Sequence, residues 1–149
     1  MYIPSKPAKY GQKMMCLTDS SNSYFYNACL YAGKDTDGIG LSEEDKKISK
    51  PTQSVLRLSK PIINSHRNIT ADNWFTSIEL VEKLRAEGLR YVGTVRKNKR
   101  VIPNEFGPSK GRAIGSSLYG CTANMTLVSH DPRLFVWCSQ CTIERTRIT

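Results

Sequence analysis

Apolar and polar positions alternate in short blocks along this chain. Lys13 to Thr18 (KMMCLT) and Tyr24 to Tyr31 (YFYNACLY) are apolar, aromatic-rich runs around the turn formers Asp19-Ser20-Ser21-Asn22-Ser23. That pattern predicts a β-hairpin with Asp19 at the end of its first strand. Residues 33 to 45 (GKDTDGIGLSEED) are rich in glycine and acid and read as a loop. Pro51 to Ser59 carries Val55, Leu56 and Leu58 and stops before Pro61, which predicts a short helix started by Pro51. Asn68-Ile69-Thr70-Ala71 reads as a strand that delivers the chain to Asp72.

The strongest local signal follows. Thr76-Ser77-Ile78-Glu79 has capping-box spacing, Phe75 and Leu80 occupy staple positions, and Gly88 supplies a stop, so a helix is predicted over Ser77 to Glu87. Ile78, Leu80, Val81 and Leu84 would form its buried stripe. Arg90 to Val95 (RYVGTV) is then a strand, and strand, helix and strand in this order predict a right-handed βαβ unit with a parallel pair. Beyond Pro103 a Gly/Pro/Ser/Lys loop precedes three short strand-like runs, Ser117 to Tyr119, Met125 to Ser129 and Leu134 to Cys138, which read as a β-rich annex. The fold class is α/β.

Length and charge narrow the function. With 149 residues the expectation is one domain with a real core. The net charge of +9 is uneven, and residues 51 to 100 hold ten bases against four acids, which favours an acidic partner such as DNA. The longest fully apolar run, Leu134 to Cys138, falls far short of the roughly 20 residues that a membrane-spanning helix needs, so no membrane partner is expected. The first residues, MYIPSKP, hold no apolar signal-peptide core, and five cysteines form no dense disulfide spacing. A nuclear location is expected, with the cytoplasm as the alternative.

Asp19 and Asp72 are the first chemical candidates, because each lies where a predicted strand meets a loop. Acidic side chains at strand ends can converge on one crevice and hold Mg²⁺ through hard oxygen ligands, whereas an exposed turn aspartate is the competing reading. Trp74 and Phe75 could stack on bases, but an aromatic pair before a capped helix reads first as a core anchor. Arg96, Lys97, Lys99 and Arg100 could neutralise DNA phosphates, against a solvated strand exit. Cys138-Ser139-Gln140-Cys141 is a lone CxxC, and with only His66 and His130 elsewhere it lacks a zinc ligand set.

Several phrases resemble the piggyBac-type transposase family. These are YIPSKPAKYG at Tyr2 to Gly11, MMCLTDS at Met14 to Ser20, RNITADNWFTS at Arg67 to Ser77, VGTVRKNKRVIP at Val92 to Pro103 and TLVSHDP at Thr126 to Pro132. The resemblance covers roughly residues 2 to 137. It implies a ribonuclease H-like fold of the DDE/DDD class, interrupted by a β-rich insertion. It also implies that Asp19 and Asp72 match the first two catalytic aspartates, which bind Mg²⁺ for cleavage at the transposon end and strand transfer at TTAA sites.

The family's third aspartate lies in a GGVDxxDQ-like phrase, and no such phrase occurs among these residues. Asp131 and Glu144 lack that context. The resemblance therefore implies an incomplete core: a basic lead-in over residues 1–12, a partial ribonuclease H-like core over 13–103, the insertion over 104–139 and a divergent tail over 140–149. The expected function is that of a truncated transposase relic without independent catalysis. The alternatives are a domesticated module that binds DNA or full-length transposase, and a fragment of a longer active enzyme.

Overall fold

The computed structural model describes residues 2, 4, 5, 7–31, 40–96, 99–106, 111–113 and 115–130, together with the strand backbone of 134–139. The chain divides into two compact units, Met1–Pro61 and Ile62–Thr149.

In the first unit, β1 (Lys13–Thr18) and β2 (Phe25–Tyr31) pair antiparallel, with Met15 opposite Cys29 and Leu17 opposite Asn27. The alternation of a strand then shows directly: Met15 is buried while its neighbours Met14 and Cys16 are exposed. The connection is closed by side-chain turns, since Asn22 Oδ1 accepts from the Tyr24 amide at 2.9 Å and the Asp19 amide donates to the Tyr24 carbonyl at 2.8 Å. Helix α1 (Lys50–Ser59) begins one residue ahead of the predicted Pro51, with the proline in its first turn, where a missing N–H costs nothing. It buries Val55, Leu56 and Leu58, and the Asn27 side-chain amide ties the hairpin to its last turn by donating to the Leu58 carbonyl at 3.1 Å. The buried Gln53 is satisfied, its amide donating to the carbonyls of Lys46 and Ile48 at 2.9 and 2.8 Å.

The second unit contains β3 (Asn68–Ala71), α2 (Ile78–Ala86), β4 (Arg90–Thr94), β5 (Ser117–Cys121), β6 (Met125–His130) and β7 (Leu134–Ser139). They build one five-stranded sheet in the order β3-β4-β7-β6-β5. The pair β3 and β4 is parallel, as the strand-helix-strand order predicts, and every other pair is antiparallel. The late strands do not stand apart as an annex. β7 pairs with β4, Val92 opposite Cys138 and Thr94 opposite Val136, so they continue the same sheet. Tyr91 and Gly93 are buried and Val92 and Thr94 half-buried, so both faces of β4 are covered. The buried backbone of β4 needs hydrogen-bond partners on both edges, and β7 supplies the second along Val92 to Thr94.

Helix α2 packs on this sheet through Leu80, Val81 and Leu84, with Ile78 only half-buried. Each fully buried aliphatic side chain contributes about 1.5–3 kcal/mol. The helix ends in a left-handed residue, Gly88 at φ +69°, with Gly88 N–H bonded to the Arg85 carbonyl at 3.0 Å and Leu89 N–H to the Leu84 carbonyl at 2.8 Å. Asn64 presses against this turn, and a Cβ on Gly88 would lie 2.9 Å from its Oδ1 and 3.1 Å from its Cα.

Gly88→Ala therefore carries two penalties, the left-handed φ and the Asn64 contact. Urea unfolding should show a loss of at least about 1–2 kcal/mol, the cost of the φ alone.

Candidate functional site

The two candidate aspartates belong to different units, Asp19 to the first and Asp72 to the second. Each is the residue immediately after a strand, Asp19 after β1 and Asp72 after β3. Both are set by the same local device. Asp19 Oδ1 accepts from the Ser21 amide at 2.8 Å and from the Ser21 hydroxyl at 2.6 Å. Asp72 Oδ1 accepts from the Trp74 amide at 3.0 Å. A carboxylate that closes a turn in this way has its rotamer held by one oxygen. Among the described residues no hydrogen bond reaches Asp72 Oδ2, and the side chain is exposed.

The turn after Asp72 is held by contacts from Arg96, Lys99 and Tyr91. Arg96 Nε donates to Asn73 Oδ1 at 2.8 Å, and Lys99 Nζ donates to the Thr76 carbonyl at 3.2 Å. Arg96, although exposed, and the half-buried Lys99 thus reach the Asp72 turn. Arg100 is exposed, and Lys97 lies outside the described residues. The third contact is buried: Thr76 Oγ1 donates to the Asp72 carbonyl at 2.9 Å and lies 2.9 Å from the Tyr91 hydroxyl. Gly93 leaves room for this pair, since a Cβ there would stand 2.6 Å from Thr76 Oγ1 and 2.7 Å from the Tyr91 hydroxyl.

The capping reading requires correction here. Ser77, not Thr76, caps α2, with its hydroxyl accepting from the Leu80 amide at 3.2 Å. The Thr76 hydroxyl is drawn away by Asp72 and Tyr91, which moves the helix start one residue on. Trp74 and Phe75 are also not core anchors. Both are half-buried and pack edge to face on each other, ring centroids 4.7 Å apart at 80°.

Tyr91 is fully buried, and its phenol is pushed above the ordinary tyrosine value chiefly by that burial. The hydrogen bond with Thr76 works in the opposite direction, and the Asp72 charge adds to the rise. Asn73, Thr76, Tyr91 and Gly93 were not singled out from the sequence as site residues. The available signals were a hydroxyl four residues after Asp72, and a tyrosine and a glycine two apart on one face of a strand.

Among the described residues no group of three or more His, Cys, Asp or Glu side chains could hold a metal, and no helix is long and apolar enough to cross a membrane. Cys141, Asp131 and Glu144 lie outside the described residues, and Cys138 is placed only as part of β7. Asp19 and Asp72 each carry carboxylate oxygens, the ligand type Mg²⁺ selects.

The profile of the family described as Transposase IS4 matches residues 1–143. Among solved structures, a piggyBac transposase in a synaptic complex with hairpin DNA is similar at 40% identity and a TM-score of 0.80. That match covers 95% of this chain and 29% of the other, so this chain spans less than a third of the solved one.

Tyr91 also yields a pH prediction. The unfolded phenol titrates near 10.0 and the folded one higher, so above that pH the folded state retains a proton that the unfolded state loses. The stabilisation is whole below the unfolded value and is lost as pH rises through the folded one. The stability advantage of the wild type over Tyr91→Phe, measured by urea unfolding, should shrink as pH rises above the unfolded phenol's 10.0.

Proposed function

The chain belongs to the Transposase IS4 family, in its piggyBac branch, and from that premise we propose that Asp19 and Asp72 are each divalent-metal-binding carboxylates for DNA strand cleavage and transfer. The proposal includes a ribonuclease H-like core and TTAA target sites. The observation that carries it is the repeated device at both positions, an aspartate one residue past a strand with one oxygen engaged by the i+2 amide. A carboxylate prepared in this way offers an oriented oxygen without a rearrangement on binding. Bound at such oxygens, Mg²⁺ supplies activation of the attacking oxygen and charge stabilisation at the leaving oxygen.

The cationic side chains have a separate task. Arg96, Lys97, Lys99 and Arg100 would contact phosphates, and the Arg96 and Lys99 contacts to the Asp72 turn link that grip to the carboxylate. The 149 residues contain no GGVDxxDQ-like phrase, so the third carboxylate of the family's reaction is not supplied by that phrase within them. We therefore assign to these residues metal and DNA binding without turnover of their own. Joined to a longer chain that carries the missing phrase, the same two aspartates would be catalytic. A second reading, a module that binds DNA or a full-length transposase, is favoured by the +6 charge of residues 51 to 100.

Purified protein incubated with transposon-end DNA and Mg²⁺ should give no nicking or strand transfer. Robust cleavage abolished by Asp19→Asn or Asp72→Asn would overturn the inactive assignment. DNA binding should weaken steeply with salt. Replacing Arg96, Lys97, Lys99 and Arg100 together by Ala should reduce the slope of log K against log salt by about 0.9 per lost phosphate contact. An unchanged slope would exclude the basic run from the interface.

A further inference from the structure

Thr76 has one hydroxyl proton and two hydroxyl-range partners. It donates to the Asp72 carbonyl at 2.9 Å. The contact with Tyr91, also 2.9 Å, must then run the other way, with the phenol donating and Thr76 Oγ1 accepting. Both residues are buried, Thr76 at 2% exposure and Tyr91 at 0%, so water cannot replace either partner. The direction is thus determined from Tyr91 through Thr76 to the backbone of Asp72.

The sheet supplies the other half of the arrangement. Ala71 pairs with Gly93 in the parallel β3–β4 ladder, which places the residue before Asp72 by backbone pairing. Ladder pairing ends there, and Asp72 is the first residue that the sheet does not hold. Its carbonyl is instead held from below by Thr76, which stands on Tyr91 of β4 in the space left open by Gly93.

We propose that Thr76 and Tyr91 are positioning residues for Asp72, a two-hydroxyl relay that extends the rigidity of β4 past the end of β3 to the metal-binding carboxylate. The inference rests on the assignment of Asp72 as a metal ligand. Neither hydroxyl is assigned a contact with metal or DNA. They act by restricting the backbone from which the carboxylate projects.

The test uses the whole 149-residue chain with Mn²⁺ alone as the probe, well below the thermal midpoint of each variant. Thr76→Val and Tyr91→Phe should each weaken Mn²⁺ binding, read by electron paramagnetic resonance, by about five- to tenfold, the worth of one net hydrogen bond. Hydrogen exchange at the Trp74 and Phe75 amides should accelerate by a similar factor. Thr76→Ser, which keeps the hydroxyl, should restore both. Wild-type exchange and affinity in Thr76→Val, or a Thr76→Ser variant as impaired as Thr76→Val, would overturn the relay. If Asp72→Asn leaves Mn²⁺ binding intact, the metal assignment fails and with it the relay's role at a metal site; the exchange rates then report only whether the hydroxyls hold the turn.

Discussion

Strand β4 has protein on both faces and on both edges, and the position of Asp72 depends on that. Parallel pairing with β3 carries the chain to the carboxyl end of the sheet, where Asp72 begins the turn. Tyr91, from the buried face of β4, reaches back under the turn to Thr76. Arg96 and Lys99, on the segment that follows β4, reach Asn73 and Thr76. A strand open on one edge could shift or fray. With β7 closing that edge, β4 becomes a fixed reference for the loop.

The turn-former reading and the metal-ligand reading of the two aspartates turn out to be compatible. An aspartate is favoured at a strand exit because its short side chain can bond the amide two residues on, and both Asp19 and Asp72 make that bond through Oδ1. The same bond restricts the carboxylate to one orientation. The local stability of the turn and the orientation of its carboxylate therefore have one physical cause. That is why spacing alone could not separate the two possibilities.

Elements with local causes were legible. The hairpin follows from Asp19 to Ser23 between apolar runs, α1 from Pro51, and the end of α2 from Gly88, whose positive φ only glycine adopts without strain. The errors share a non-local origin. Thr76 and Ser77 are adjacent hydroxyl residues, and the spacing to Glu79 favours Thr76 as the cap. What decides otherwise is the buried phenol of Tyr91, fifteen residues on. In the same way, nothing within Leu134–Ser139 announces that its partner is β4, so the late strands read as an annex until the pairing is seen. The strand-end positions of Asp19 and Asp72 were legible, but Thr76 and Tyr91, which connect Asp72 to the sheet, were not.

The partners of the basic side chains carry a further consequence. Arg96 bonds a side-chain amide oxygen and Lys99 a backbone carbonyl, both neutral acceptors. Among the described residues neither makes an ion pair with Asp72. Had they done so, the cations and the carboxylate would have neutralised each other, leaving little charge for either a phosphate or a metal. Neutral acceptors restrain the long side chains without consuming their charge. An exposed carboxylate on the turn and two positive groups that reach the turn from beyond β4 thus make no ion pair with each other among the described residues. Under the proposed function, that arrangement would meet an anion paired with a divalent cation, such as a DNA phosphate with bound Mg²⁺.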